Sequence, residues 1–390
     1  MLDPIKLDPI KLPLIASVTL VALGAAPRLA AASEGAVYAM TNDLFDNEIA
    51  VYTRDDDGTL ALDGYVSTGG RGVGDTTEPV DALGSQAPLV LDPDGRWLLA
   101  VNASSNEVSV FRVHDDGLEL RSVTPSGGLH PASLAIHGSR VYVLNSGGEG
   151  NVTAFRLLPN GNLAPMPGST RALGVGGTNP PSFIVSPAQI GVDPTGNVLV
   201  VSIKGTDELR SFPLGPDGMP SMVPEITPSS GSTPFGFAFD DAGHLVVAEP
   251  FGPASPGVGG ASAASTYEVQ ADGTLELVSA TVENFQTASC WLVTDGQHVF
   301  TTNNATDTIT SYALDDQGEL TLLAPGGVAA STGVAPVDLA LSPDGRFLYD
   351  VNAGDGTISA FRVEPDGSLT ALGVVGGLPA DHGAVGIAVR

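Results

Sequence analysis

Three residues of this chain have side chains suited to acid–base chemistry near neutral pH: His130 in Gly-Leu-His-Pro, Glu249 ending an apolar run, and Lys204, the one lysine after residue 11. His130 or Glu249 can act as general base on water, and Lys204 can stabilise an oxyanion developing on a carbonyl. Plainer uses stand beside these: a Lys204–Glu249 salt bridge, and His130 as a hydrogen-bonding loop residue. Six more residues are placed to contact a small molecule: Gln86, Gln189, Phe235, Gln286, Asn303 and His382. Phe235, Phe237, Phe251 and Trp291 could floor an apolar pocket, or simply pack between structural units.

What is absent narrows the chemistry. The chain has no Gly-x-Ser-x-Gly nucleophile elbow, no His-Glu-x-x-His zinc site and no P-loop, and no two histidines have ligand spacing. Gly69-Gly-Arg-Gly-Val-Gly74 is not followed by a helical pattern, which weakens a dinucleotide reading. Asp55-Asp56-Asp57 reads as a solvated turn rather than a calcium site. Neither a metal nor an organic cofactor is expected.

The elements that hold these residues repeat. An apolar strand ending in Asn, a second strand ending in an aromatic, and an Xaa-Gly turn recur seven times, with turn glycines at 58, 117, 161, 218, 273, 318 and 367. A period near 50 built of strands and tight turns indicates an all-β, seven-bladed β-propeller of four-stranded antiparallel blades. Gly383–Val389 has the pattern of a first strand, whereas the first blade starts at its second strand, Ala36–Asn42. The C-terminal strand is therefore expected to join the N-terminal blade and close the ring, protecting its sheet edges. In such a blade the A–B and C–D turns share one face and the B–C and D–A loops the other. All the long insertions, Ser67–Pro88, Pro167–Pro187 and Pro250–Ser265, fall on the second face and gather at one mouth of the channel. The last of them is either a lid or a tolerated insertion. Histidines 114, 137, 244 and 298 belong to the opposite face.

Residues 1–32 differ from the rest, with Lys6 and Lys11, an apolar run from Leu12 to Ala26 and Ala30-Ala31-Ala32. They read as a secretory signal peptide, leaving residues 33–390 as one propeller outside the cytoplasm, extracellular or periplasmic. A formal net charge of −28 makes nucleic acid and acidic membranes poor partners. Cys290 is the single cysteine, so no intrachain disulfide is possible. A monomer is expected.

The repeats Ser342-Pro-Asp-Gly-Arg-Phe-Leu-Tyr349 and Asp-Gly-x-Leu, His130-Pro131, and Glu249 ending its strand resemble the lactonase family of seven-bladed propellers, across residues 35–390. That family includes bacterial 6-phosphogluconolactonase and fungal carboxymuconate cyclase. The resemblance implies a lactone hydrolase or cycloisomerase and carries over His130 and Glu249. It does not carry over the family's second His, where Ala132 stands, or its Gly-Pro-Arg-His, where this chain has Thr233-Pro-Phe-Gly236. Phosphate and tricarboxylate groups need Arg or Lys, and only Lys204, Arg71 and Arg171 are expected near the mouth. The substrate implied is therefore neutral or weakly charged. The alternative is a non-catalytic propeller that binds a protein or glycan through its long-loop face.

Overall fold

The computed structural model describes residues 35–74, 81–252 and 259–390; the expected signal peptide and the middle of the 250–265 insertion lie outside them. Seven separate antiparallel sheets follow one another along the chain. Blade 2 is representative: strands Leu89–Leu91, Trp97–Asn102, Glu107–His114 and Gly117–Pro125 run from the channel to the rim. In blades 3, 5 and 6 the outer strand is broken into two pieces that both pair with the third strand.

Alternation within each second strand sends side chains toward both neighbouring blades, so these strands carry almost no exposed surface. Trp97–Asn102, Val198–Ile203, His244–Glu249, His298–Asn303 and Phe347–Asn352 are buried at every position. The C–D turn glycines lock neighbours together. Gly58 and Gly218 have φ of 86° and 83°, and a Cβ on either would fall 2.3 Å from a side-chain atom of the preceding blade, Phe347 Cδ1 or Arg140 Cδ. The carbonyls of the same two glycines accept hydrogen bonds from Tyr349 Oη at 2.9 Å and Tyr142 Oη at 2.8 Å.

The ring closes as the half-blades at the termini require. Ile387–Val389 pairs with Gly35–Met40, with Val389 opposite Val37 and Ile387 opposite Ala39. Backbone bonds from Ala36 to Arg390, from Arg390 to Ala36 and from Met40 to Gly386 extend the seam.

One segment has no counterpart in the repeat. Residues 81–87, the end of the first long insertion, lie in the channel and bond to inner strands of several blades. Ser85 Oγ donates to Ala132 O at 2.7 Å in blade 3, and Gln86 N to Ala188 O at 3.2 Å in blade 4. In blade 6 Trp291 Nε1 donates to Ser85 O at 2.9 Å. The ring therefore encloses a plug rather than an open pore.

Ring closure should be measurable by truncation. Fully burying a Val or Ile side chain stabilises by about 1.5–3 kcal/mol, and whole domains are stable by only roughly 5–15 kcal/mol. A chain ending at Gly383 loses the buried Ala384, Val385, Ile387 and Val389 and exposes an inner strand edge. It is expected to aggregate or to lose cooperative melting, as read by size-exclusion chromatography and calorimetry. A soluble, cooperatively melting truncate would show that blade 1 stands without its C-terminal strand.

Candidate functional site

The three long insertions meet at one cavity of about 210 Å³ at the mouth of blades 4, 5 and 6. Asp81 comes from the first insertion, Phe183 from the second, and Pro250 and Phe251 from the third. Phe235, Cys290 and Trp291 supply the channel-side wall, and Thr233 and Asn304 are its other polar residues. The rings stack obliquely: Phe235 lies 5.9 Å from Phe183 and 5.1 Å from Trp291, centroid to centroid. No Arg or Lys is among the lining residues.

Asp81 is the carboxylate of this cavity, and its position follows from the plug's backbone. Oδ1 accepts from Leu83 N at 3.1 Å and Gly84 N at 2.9 Å, and Oδ2 from Ser85 N at 3.1 Å. This Asx turn leaves Oδ2 with unused acceptor capacity. Burial pushes the Asp81 carboxyl above the usual carboxylate range, against the pull of the Lys204 ammonium and the three N–H groups. Lys204, buried directly after the second strand of blade 4, donates from Nζ to Gly84 O in the same turn. Nζ also lies 4.7 Å from the ring centroids of both Phe183 and Phe235. Burial pulls its amine below the ordinary lysine value, and the charge of Asp81 opposes that shift. The lysine thus stands behind the aromatic wall, and its charge acts on the cavity through Asp81.

The expected approach of Lys204 to Glu249 is not what the fold produces, since no hydrogen bond or ion pair joins them among the described residues. Glu249 is fully buried in blade 5, its Oε1 accepting from Gly231 N at 2.7 Å and Ser229 Oγ at 3.2 Å. Burial raises its carboxyl to about 7, against the hydrogen bonds from Gly231, Ser265 and Ser229. It occupies the place that Asn102, Asn145, Asn303 and Asn352 hold in other blades. His130 enters blade 3 with φ of 55°, its N–H held by Asn106 Oδ1 at 2.7 Å. Burial pulls the imidazole down to about 4, so it is neutral at pH 7. Both Glu249 Oε2 and His130 Nε2 are buried without a hydrogen-bond partner.

The six expected contact residues divide. Phe235 lines the cavity. The carboxamide of Gln86 instead clamps the backbone of Leu292, at 2.7 and 3.0 Å, and that of Gln189 clamps Phe237, at 2.9 and 2.7 Å. Asn303 Nδ2 donates to Thr308 and Thr310 at 2.9 and 3.0 Å. Gln286 Nε2 donates to Gly326 O at 2.6 Å, and His382 is exposed before the last strand. Among the aromatics, Phe235, Phe251 and Trp291 do form one pocket, while Phe237 packs on Phe239 at 5.8 Å. Arg171, expected near the mouth, has its guanidinium bound by the carbonyls of Gly168, Thr170, Pro220 and Ser221. Asp81 and Phe183 were missed because neither belongs to a strand. The legible signal was Asp81-Ala-Leu-Gly84, an Asx-turn sequence inside a long loop.

Comparison with known proteins agrees with this architecture. Residues 11–172 and 258–381 match the family described as lactonase, 7-bladed beta-propeller. A Bacteroides uniformis protein assigned as a 6-phosphogluconolactonase superposes with a TM-score of 0.72 at 17% identity, covering 92% of this chain and 100% of its own. A periplasmic gluconolactonase of Pseudomonas aeruginosa superposes with a TM-score of 0.64 at 20% identity, covering 90% and 99%. At these identities the likeness establishes the fold alone, and no curated protein matches the sequence. By its sequence match and its seven four-stranded blades, the chain belongs to the lactonase family of seven-bladed β-propellers.

Proposed function

We propose that this protein is a lactone hydrolase acting on a small, neutral and largely apolar lactone, exported from the cytoplasm and active as a monomer. The observation that carries the reading is a single carboxylate, Asp81, on the wall of an aromatic cavity that no Arg or Lys lines. Such a cavity favours uncharged ring substituents and disfavours a phosphate, which would be buried without a counter-charge. Its volume, about 210 Å³, is below the range usual for drug-sized ligands. The names of the Bacteroides and Pseudomonas proteins supply the reaction class but not the sugar acid.

In this mechanism Asp81 Oδ2 accepts a proton from water as the oxygen of that water bonds to the lactone carbonyl carbon. The carbonyl electron pair moves onto its oxygen, where Thr233 and Asn304 are the nearby donors. Collapse of the tetrahedral species breaks the ring C–O bond, and the proton passes from Asp81 to the departing alkoxide. The raised carboxyl makes Asp81 a stronger base than an exposed aspartate while it stays ionised near neutral pH. His130 and Glu249 support the neighbouring blades in this reading.

Hydrolysis of a lactone panel tests it. Asp81→Asn is expected to lower kcat by about 10²-fold or more and to lower the melting temperature as well, since one amide atom can no longer accept a backbone N–H and the Lys204 ammonium loses its compensating charge. Full activity in Asp81→Asn, with loss in His130→Ala or Glu249→Gln, would move the base to the latter residues.

The pH profile gives an independent readout. The acid limb of kcat/KM should lie above the ordinary aspartate value of about 4. Because the Lys204 ammonium holds the Asp81 carboxyl down, Lys204→Met should displace that limb to higher pH. A limb that stays in place would separate Lys204 from the titrating group.

A second reading rests on the surface around the mouth. Phe45, Leu129, Ile184, Phe285 and Val334 are exposed by 45–84% on loops of this face. A binding scaffold would use that apolar rim, and absence of turnover on every lactone tested would favour it.

A further inference from the structure

The cavity at the mouth brings four aromatic side chains together with one carboxylate. Phe183, Phe235, Phe251 and Trp291 line it beside Asp81, and no Arg or Lys is among the lining residues. The rings are inclined to one another, Phe183 to Phe235 by 40° and Phe235 to Trp291 by 62°, so they do not form one flat wall. The Trp291 N–H is committed to Ser85 O, which leaves the indole to meet the cavity with its π surface and not with its donor. Burial pushes the Cys290 thiol up, so this wall residue carries no charge near neutral pH.

Aromatic rings beside a carboxylate suit an alkylammonium ion, whose charge is attracted by the negative faces of the rings and whose methyl groups pack against them. The chain's own lysine shows that two of these rings accept such a group, since Lys204 Nζ lies 4.7 Å from the centroids of both Phe183 and Phe235. That ammonium is bonded to Gly84 O and does not line the cavity, whereas Asp81 does. A cation inside is therefore nearer the carboxylate than the lysine, and the attraction outweighs the repulsion because both fall with distance. The formal net charge of −28 adds a field that draws cations toward the chain.

Other occupants of the same shape fare worse. In lactone hydrolysis a water covers Asp81, but a neutral apolar group that displaces this water leaves the carboxylate desolvated. A phosphate finds no Arg or Lys on the wall to pair with. A phosphocholine headgroup carries the group that the cavity rejects, so the occupant is a free cation rather than the head of a lipid. The cavity of about 210 Å³ has the space of about seven waters at roughly 30 Å³ each, enough for a trimethylammonium group on a short stem. Thr233 and Asn304 are the polar lining residues that remain for a hydroxyl at the end of that stem.

We propose that this cavity binds a small quaternary ammonium ion of choline size, packed against Phe251 and Trp291 and paired with Asp81, a ligand class that rests on the cavity being the site but not on turnover. The test is titration calorimetry of the full chain with choline, with 3,3-dimethyl-1-butanol, which has the same shape without the charge, and with phosphocholine. Choline is expected to bind saturably, and the other two at least about tenfold more weakly. Asp81→Asn should bring choline down to the level of the neutral alcohol. Phe251→Leu alters no plug residue and keeps an apolar wall, and it should weaken choline by roughly threefold or more while leaving the alcohol unchanged. The proposal is overturned if choline fails to bind or binds no more tightly than the alcohol, which would make the cavity merely apolar. It is equally overturned if both variants bind choline as the native chain does, which would assign the cation to the acidic surface. The readout is heat of binding, so a chain that hydrolyses no lactone can still meet it, and one that hydrolyses lactones can still fail it.

Discussion

A ring of seven sheets leaves a hole on its axis, and what fills that hole decides the rest of this structure. Here the plug is residues 81–87, which carry backbone polar groups into a setting where each must find a partner. Ser85, Gln86 and the Asp81 turn meet this demand with bonds to blades 3, 4 and 6. The carbonyl of Gly84 is met by the Lys204 amine. A buried ammonium in turn needs compensation, which comes from the field of Asp81 and the faces of Phe183 and Phe235. The cavity is the space left beside this cluster, so its acid and its aromatic wall both follow from the need to close the axis.

The ring itself was legible because its determinants are local. Asn at the end of a strand, an aromatic at the end of the next and glycine in the turn each act within one blade or on its neighbour. The terminal half-blades were readable by the same logic, and Ile387–Val389 pairs as they required. The site was less legible for the opposite reason. Gln86 bonds to Leu292 and Ser85 to Trp291 across 206 positions, a contact no periodicity encodes. Gln86, Gln189 and Asn303 were plausible ligand contacts by type and place, but the sequence does not reveal that their amides are taken by backbone or neighbouring hydroxyls. Phe235, Phe251 and Trp291 were recoverable because large apolar groups near an inner strand must be buried somewhere.

Charge is divided sharply between surface and interior. The many acids that give the net −28 are mostly solvated at turns. Asp57, Asp272 and Asp366 there are held below the usual carboxylate range, chiefly by hydrogen bonds from Thr59, Thr274 and Ser368. The buried acids behave in the reverse way. Asp338, on the inner strand of blade 7, is pushed to about 8 by burial, and Asp81 adds to the shift. Arginines are spent on short surface pairs such as Arg96–Asp94 and Arg390–Asp115, or on carbonyls. That distribution leaves the lining of the channel cavity without an Arg or Lys, the side chains that pair with phosphate.

Because the blades repeat, a departure from the repeat is more informative here than a residue type alone. In several blades the slot at the end of the second strand is closed by a glycine, Gly70 over Asn102, Gly128 over Asn145, Gly231 over Glu249 and Gly333 over Asn352. Glu249 therefore sits in a structural socket, and its raised carboxyl follows from filling that socket with a longer acid. Asp81 owes its position to no socket: it belongs to a channel segment without a counterpart in the other blades and lines a cavity to which all three insertions contribute. Asp81 lines the cavity, whereas Glu249 is fully buried and is not among the residues that line it.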